Sequence, residues 1–292
     1  MMRNSSLLLR RLLSLLLVCC LFSPLPASAA QTGEEEDTSL IHILLVGRDE
    51  SQDAVSRSDT IILCSFQPET KRIILTSFLR DLYVPIPGRE QNRINAAYAC
   101  GGLPLLRQTV EENLDLCLDG CIDVDFSQFS QIIDILGGVT LELRQDEAEA
   151  INARVEGDLT EGIHLLSGEQ ALAYSRIRNL DADGDFSRTG RQRKLLTSLL
   201  DSYRSANLLT ILSVLTEVLP MISTDLENRQ IIALAARLYP FLNDPVVVSQ
   251  RLPADGTFSY QRIRGMEVLT ADMDQLRRQL HRSLQPADEI DF

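Results

Sequence analysis

The chain has 292 residues, room for one large domain or two small ones, and its 45% hydrophobic and 24% charged content is ordinary for a globular protein with a sizeable core. A formal charge of −13 argues against a nucleic-acid backbone as the main partner, because polyphosphate binding needs a positive surface. Three histidines (His42, His164, His281) and no tryptophan argue against a histidine-rich metal site.

The chain opens with Arg3, Arg10 and Arg11 around an apolar run from Leu12 to Phe22, followed by Ala27-Ser28-Ala29, a small-residue cleavage pattern. Residues 1–30 therefore read as a signal peptide or a retained N-terminal anchor. The run is shorter than the roughly 20 residues a membrane-spanning helix needs. In both cases the remainder is expected outside the cytoplasm, secreted or membrane-associated in the cell envelope. Residues 31–40 begin polar and acidic, a flexible lead-in. Cys64, Cys100, Cys117 and Cys121 follow, leaving three full pairings or four free thiols open. Cys117 and Cys121 flank the turn signal Asp119-Gly120, which permits a local bridge.

Short apolar runs at 41–47, 60–66 and 72–78 predict buried strands, the last two joined as a hairpin through Gln67-Pro68-Glu69-Thr70-Lys71. Pro104 opens a helix to Leu114. Phe126, Phe129, Ile132, Ile133 and Leu136 share one helical face that Gly137-Gly138 ends. Val139–Leu143 alternates as a strand, and Ser167 with Gln170 forms a capping box for a helix through Tyr174. Ser187 caps a helix to about Tyr203. Apolar helices span 208–221 and 228–242, 246–252 is the last strand, and 272–283 is a final amphipathic helix. Alternation with short connections predicts an α/β class, a single α-β-α domain over 41–292 with a central mixed sheet covered by helices. The part from about 206 extends that same domain.

Three segments place polar residues where strands end. Gly47-Arg48-Asp49 closes the first strand and Arg57-Ser58-Asp59 precedes the next, so two carboxylates could meet and hold Mg²⁺. Either aspartate could equally be a turn or cap residue. Arg80-Asp81 follows the third strand and leads to Arg93 and Asn95; Arg80 is costly to bury unless paired, with Asp81 or Asp59 as structural partners. The third segment holds Arg176 and Arg178, spaced like strand residues on one face, then Asp181, Asp183 and Asp185, then Arg188, Arg191, Gln192 and Arg193. Arg188 and Gln192 lie i, i+4 near a helix N-terminus, a natural anion site. Lys71 and Lys194 are the only lysines, so arginine supplies nearly all the positive charge, and its planar fork suits phosphate. A genomic composition bias would give the same ratio, and a solvated mixed-charge face the same pattern.

Together these segments resemble the LytR-CpsA-Psr family of cell-envelope proteins. The resembling stretches are LLVGRDES at 44–51, RSDTIIL at 57–63, SFLRDLYVPIPG at 77–88, RINAAYACGG at 93–102, IDVDFSQF at 122–129, IDILGGV at 133–139, LLSGEQALAYSRIR at 165–178 and GDFSRTGRQR at 184–193. They cover about 41–205 in the family's order, and the stretch beyond resembles the tail of many members. Leu79 departs from the family's usual proline, and a clear long anchor is lacking.

The resemblance implies a phosphotransferase that moves a glycopolymer (teichoic acid, capsule or similar) from a polyprenyl-pyrophosphate carrier onto peptidoglycan at the outer face of the membrane. By motif position, Asp49 and Asp59 would hold Mg²⁺. Arg57, Arg80, Arg176, Arg178, Arg188 and Gln192 would contact the pyrophosphate, with Arg93, Asn95 and Arg191 as additions. Arg80 and Asp185 would be catalytic, Asp185 as base. The apolar helices at 194–221 and 228–242 could line a lipid slot. Alternatives are a polyprenyl-pyrophosphate hydrolase and a non-catalytic pyrophosphoryl-lipid-binding envelope protein.

Overall fold

The structure, a computed structural model, describes residues 40–49, 58–67, 70–178, 180 and 185–285. The signal or anchor region, Arg57, Asp181 and Asp183 lie outside the described residues. The first half of the chain forms β1 (Ile41–Arg48), β2 (Ser58–Gln67), β3 (Arg72–Phe78), β4 (Tyr83–Val84), β5 (Asn92–Arg93), α1 (Ile94–Leu114), β6 (Gly120–Asp125), α2 (Phe126–Ile135) and β7 (Val139–Leu143). Then come α3 (Gln145–Asn152), β8 (Gly162–Leu166), α4 (Gly168–Ser175), α5 (Asp185–Ser202) and α6 (Leu208–Val218). The chain ends through β9 (Ser223–Thr224), α7 (Asn228–Leu238), β10 (Val246–Leu252), β11 (Phe258–Ile263), β12 (Met266–Ala271) and α8 (Met273–Leu284).

The expected α/β class and mixed central sheet are present. Six strands run in the order β10-β3-β2-β1-β6-β9. β2 pairs antiparallel with both β1 and β3, whereas β6 joins β1 and β10 joins β3 in parallel. Strand alternation sends Leu44, Val46, Leu63 and Ile74 to one face, where α1 and α8 cover them through Leu106, Val110, Leu276 and Leu280. Ile43, Ile62, Cys64 and Leu75 face the other way, onto Leu196 and Leu200 of α5 and Leu234 and Leu238 of α7. Each such aliphatic side chain contributes about 1.5–3 kcal/mol by leaving water. A further cluster joins β7, α3 and α4 to Leu195 of α5. Gly168 lets α4 lie close on α2, since a Cβ there would sit 1.9 Å from the Ser130 carbonyl oxygen.

Several expectations are corrected. The helix from Pro104 begins ten residues earlier, at Ile94, and breaks at Gly101 and Gly102, whose dihedrals leave the helical region. Pro104 sits just after that break, so only the second half carried a start signal. Arg176 and Arg178 are not on a strand; Arg176 caps the C-terminus of α4 with φ −101° and ψ 1°. The helix predicted from Ser187 starts at Asp185, and α6 and α7 give way to 3-10 turns containing Pro220 and Pro240. The strand at 246–252 is not the last, because the β11–β12 hairpin follows it. All four described cysteines are free thiols, so the permitted Cys117–Cys121 bridge is not made. Burial pushes Cys64 and Cys121 up to about 12, which keeps both inert. Among the described residues no helix is long and apolar enough to cross a membrane.

His42 sits on β1 with its Nδ1 2.9 Å from Ser65 Oγ. Burial lowers its pKa below 6.5, with His281 adding repulsion and Asp119 opposing. The unfolded chain therefore takes up a proton that the folded one resists. Stability should be full above pH about 6.5 and fall as the pH drops below it. Thermal midpoints measured from pH 8 to 5 should show this slope, and His42→Gln should flatten it.

Candidate active site

The site begins with a break in a ladder. Gly47 pairs with Thr60 and Arg48 with Ser58, so Asp59 is the extra residue of a β-bulge. A bulge re-aims a side chain, and Asp59 reaches the same cavity as Asp49, the residue after β1. A Cβ on Gly47 would lie 3.0 Å from Thr60 Cβ, so glycine keeps this rung close. Thr60 Oγ1 in turn accepts a hydrogen bond from Gln192 Nε2 at 2.9 Å, tying α5 to the bulge.

The cavity measures about 1040 Å³, at the upper end of the range for small-molecule sites. Its polar end carries Asp49, Asp59, Arg80, Arg176, Arg178, Arg188 and Gln192. Arg80 Nη1 donates to Asp59 Oδ1 at 2.7 Å, and its Nε lies 3.3 Å from Asp185 Oδ2. Arg178 approaches Asp59 at 3.6 Å and Asp185 at 3.7 Å, and Arg188 donates to Asp185 at 3.0 Å. Asp185 is thus held by three arginines at the first residue of α5. Arg176 lies over the Phe126 ring, 4.5 Å from its centroid, a cation–π contact that leaves the guanidinium edge available for a ligand.

Arg188 is 3% exposed. Burial lowers its pKa to about 10, with repulsion from Arg178 and Arg80 against the pull of Asp185 and Asp59. It remains a cation at neutral pH. Arg80 is also disfavoured by burial, but Asp185, Asp59 and Asp81 outweigh that and raise it. Among the described residues, ten buried side-chain atoms lack a hydrogen-bond partner. Seven of them cluster at this end of the sheet: Arg48 Nε, Ser58 Oγ, Arg80 Nε, Arg93 Nε, Asn95 Oδ1, Asp123 Oδ1 and Arg188 Nε. Buried polar groups are ordinarily satisfied; of the seven, Arg80 Nε and Arg188 Nε belong to cavity-lining residues, so two guanidiniums of the polar end hold unmet donors.

Most of the rest of the cavity is apolar. Leu45, Ile62, Ile122 and Val124 form its sheet wall, and Phe129, Ile132 and Ile133 of α2 face them. Leu195, Leu196 and Leu199 of α5 continue the lining, closed by Leu215, Val218 and Ile222. α6 is apolar along its length yet none of its residues is buried, because the cavity lies where a core would be. α7 contributes nothing to the lining, so of the two apolar stretches proposed for a lipid slot only 194–221 does so.

Four predicted site residues are not among the lining: Asp185, which the cavity's arginines hold from beside it, and three predicted contacts. Arg191 does not line the cavity: it is buried on another side of α5, its Nε 2.8 Å from Glu147 Oε1 of α3. Arg93 pairs with Asp81 at 3.1 Å, and the Asn95 amide donates to the Arg80 carbonyl at 3.2 Å. Both therefore stand behind Arg80, outside the lining. Sequence reasoning missed Asp125, Arg154 and Glu169, which also line the cavity. Asp125 had a readable signal, the capping box with Gln128. Arg193, noted in the arginine run, anchors α5 to Ser77 at 2.7 Å and Ser249 at 2.6 Å.

The fold and site define a class: an α-β-α domain with one cavity that joins an arginine–aspartate end to a mostly apolar wall. The LytR_cpsA_psr family profile matches residues 25–282, and the chain belongs to that family. It is 36% identical over 204 residues to a polyisoprenyl-teichoic acid–peptidoglycan teichoic acid transferase TagU of Oceanobacillus iheyensis, spanning 68% of this chain and 62% of the relative. A TagU of Enterococcus faecalis is 33% identical over 251 residues, spanning 82% and 79%. The regulatory protein MsrR of Staphylococcus aureus is 36% identical over 169 residues, where the chain spans only half of the relative's length. Among solved structures, TagT bound to LIIa-WTA superimposes with a TM-score of 0.69 at 28% identity, covering 84% of this chain and 89% of that one. YwtF (TagT) with bound octaprenyl pyrophosphate lipid gives 0.65 at 25% identity, covering 89% and 94%.

The two faces of α5 separate by mutation. Arg188→Ala should weaken inorganic pyrophosphate binding by about 1.5–3 kcal/mol, the worth of a charged hydrogen bond. Arg191→Ala should instead lower folding stability by about 1.5–3 kcal/mol, the worth of the charged hydrogen bond taken from Glu147, which keeps its contacts with Arg144, and leave pyrophosphate affinity at the wild-type value. Calorimetric titration and denaturant unfolding on both variants check this.

Proposed function

We propose that the protein is a Mg²⁺-assisted phosphotransferase that moves a glycopolymer from a polyprenyl-pyrophosphate carrier onto peptidoglycan, at the outer face of the membrane. The observation that carries this is the junction inside one cavity of an arginine–aspartate end with a long apolar wall. A pyrophosphate with a polyprenyl tail needs both. TagT bound to LIIa-WTA or to octaprenyl pyrophosphate lipid, and the similarity to the TagU transferases, support the same reading.

In the reaction, a sugar hydroxyl of the acceptor attacks the phosphorus next to the glycopolymer. A new O–P bond forms, the bond from that phosphorus to the bridging oxygen breaks, and polyprenyl phosphate leaves. Arg80, Arg176, Arg178 and Arg188 neutralise the non-bridging and leaving oxygens, the main catalytic demand of phosphoryl transfer. Gln192 adds a neutral donor. Asp185, fixed by three arginines, takes the proton of the attacking hydroxyl. No covalent enzyme intermediate is required.

Asp49 and Asp59 suit Mg²⁺ as hard oxygen donors facing one cavity. Among the described residues no group of three or more metal-ligating side chains forms a cage, and Mg²⁺ uses one or two carboxylates together with substrate phosphate oxygens. When bound, the ion supplies charge neutralisation at those oxygens.

The test is to give residues 31–292 a labelled polyprenyl-pyrophosphoryl oligosaccharide, Mg²⁺ and peptidoglycan oligomers. Sugar on peptidoglycan is the expected product. Free phosphosugar alone would point to a hydrolase, and binding without turnover would sink both enzyme readings. Arg80→Ala and Arg176→Ala should each weaken carrier-lipid binding by about 1.5–3 kcal/mol.

A further inference from the structure

A second buried polar cluster lies across the sheet from the cavity. The Arg48–Ser58 rung is the one that adjoins the bulge. Paired residues share a face, so both side chains point towards α1, while the residues that follow them, Asp49 and Asp59, line the cavity. Both candidate metal ligands therefore hang from one rung.

That rung is held by Asp123, outside the cavity lining, and by Asp125, which belongs to it. Arg48 Nε lies 3.2 Å from Asp123 Oδ2, and Arg48 Nη2 lies 3.4 Å from Asp125 Oδ2. Tyr98 of α1 donates its hydroxyl to Asp123 Oδ2 at 2.6 Å. Asp123 is 3% exposed. Burial raises its pKa, while Tyr98 and Arg48 oppose the rise. A buried carboxyl between a tyrosine and an arginine is costly, and nothing in core packing asks for it.

We infer that Tyr98 and Asp123 are positioning residues that act through Arg48 to set the spacing of Asp49 and Asp59 for a divalent cation. The inference rests on the metal role proposed above. The arginine fork spans two carboxylates, Asp123 and Asp125, which a lysine could not do with the same geometry. The ladder pairs residue 48 with Ser58 of β2 and Asp125 of β6, and the guanidinium pairs add a side-chain tether between β1 and β6 on the strand end from which Asp49 leaves. Groups of this kind behind metal ligands change metal affinity by about 10- to 100-fold when removed.

The experiment titrates Mn²⁺ by electron paramagnetic resonance at one fixed inorganic pyrophosphate concentration, for wild type, Tyr98→Phe, Asp123→Asn and Arg48→Lys. A parallel calorimetric titration measures metal-free pyrophosphate binding. The expected result is a half-saturating Mn²⁺ concentration raised about tenfold or more in each variant, with metal-free pyrophosphate affinity unchanged. A merely structural role would move both affinities together, and that outcome overturns the inference. So does unchanged Mn²⁺ affinity in Tyr98→Phe, the variant least disturbing to the fold. Wild type that binds pyrophosphate but no Mn²⁺ overturns the metal role and the clamp together. Wild type that binds neither removes the site reading itself.

Discussion

Arg80, Arg178 and Arg188 cannot share one end of a cavity unless opposite charge offsets their own. Here two aspartates do so: Asp59 engages Arg80 and Arg178, and Asp185 engages Arg80, Arg178 and Arg188. The rest of the site follows from delivering those two carboxylates. A bulge in β2 delivers Asp59, and the first turn of α5 delivers Asp185. An anion entering here would have to exchange partners with the aspartates. A cation on a carboxylate would relieve that competition, and under the proposed function the two affinities would be linked reciprocally.

The apolar half answers to a different constraint. α5 serves both halves, with Arg188 and Gln192 near its start and Leu195, Leu196 and Leu199 one turn and more beyond. A single rigid helix thus fixes the distance between the charged end and the apolar wall. α2 does the same from the other side, where Phe126 lies under Arg176 and Phe129 and Ile132 line the wall.

Much of this was legible in the sequence, and the illegible parts share a cause. β1, β2, β3 and α2 could be read because hydrophobic periodicity is local. β6 was not read: the alternation of Asp123 and Asp125 with Ile122 and Val124 permits a strand, but the partners that let an acid be buried there, Arg48 and Tyr98, lie far away in the sequence. The bulge at Asp59 depends on register with another strand, which no window on one strand contains. Arg188 and Arg191 sit in one arginine-rich run, but only Glu147, on a helix the sequence did not announce, tells which of them is structural. Net charge was a poor guide: a protein at −13 still concentrates arginine where an anion would sit.

α6 has a consequence beyond the lining of a cavity. An apolar helix with none of its residues buried draws little of its stability from the domain, and segments of that kind are the first to open. An aliphatic tail laid against Leu215 and Val218 would supply the missing packing, so the cargo would serve as part of the fold while it is aboard. Handing it over would return the wall to its looser state. The stiffness of that one helix would then differ between the loaded and the empty protein.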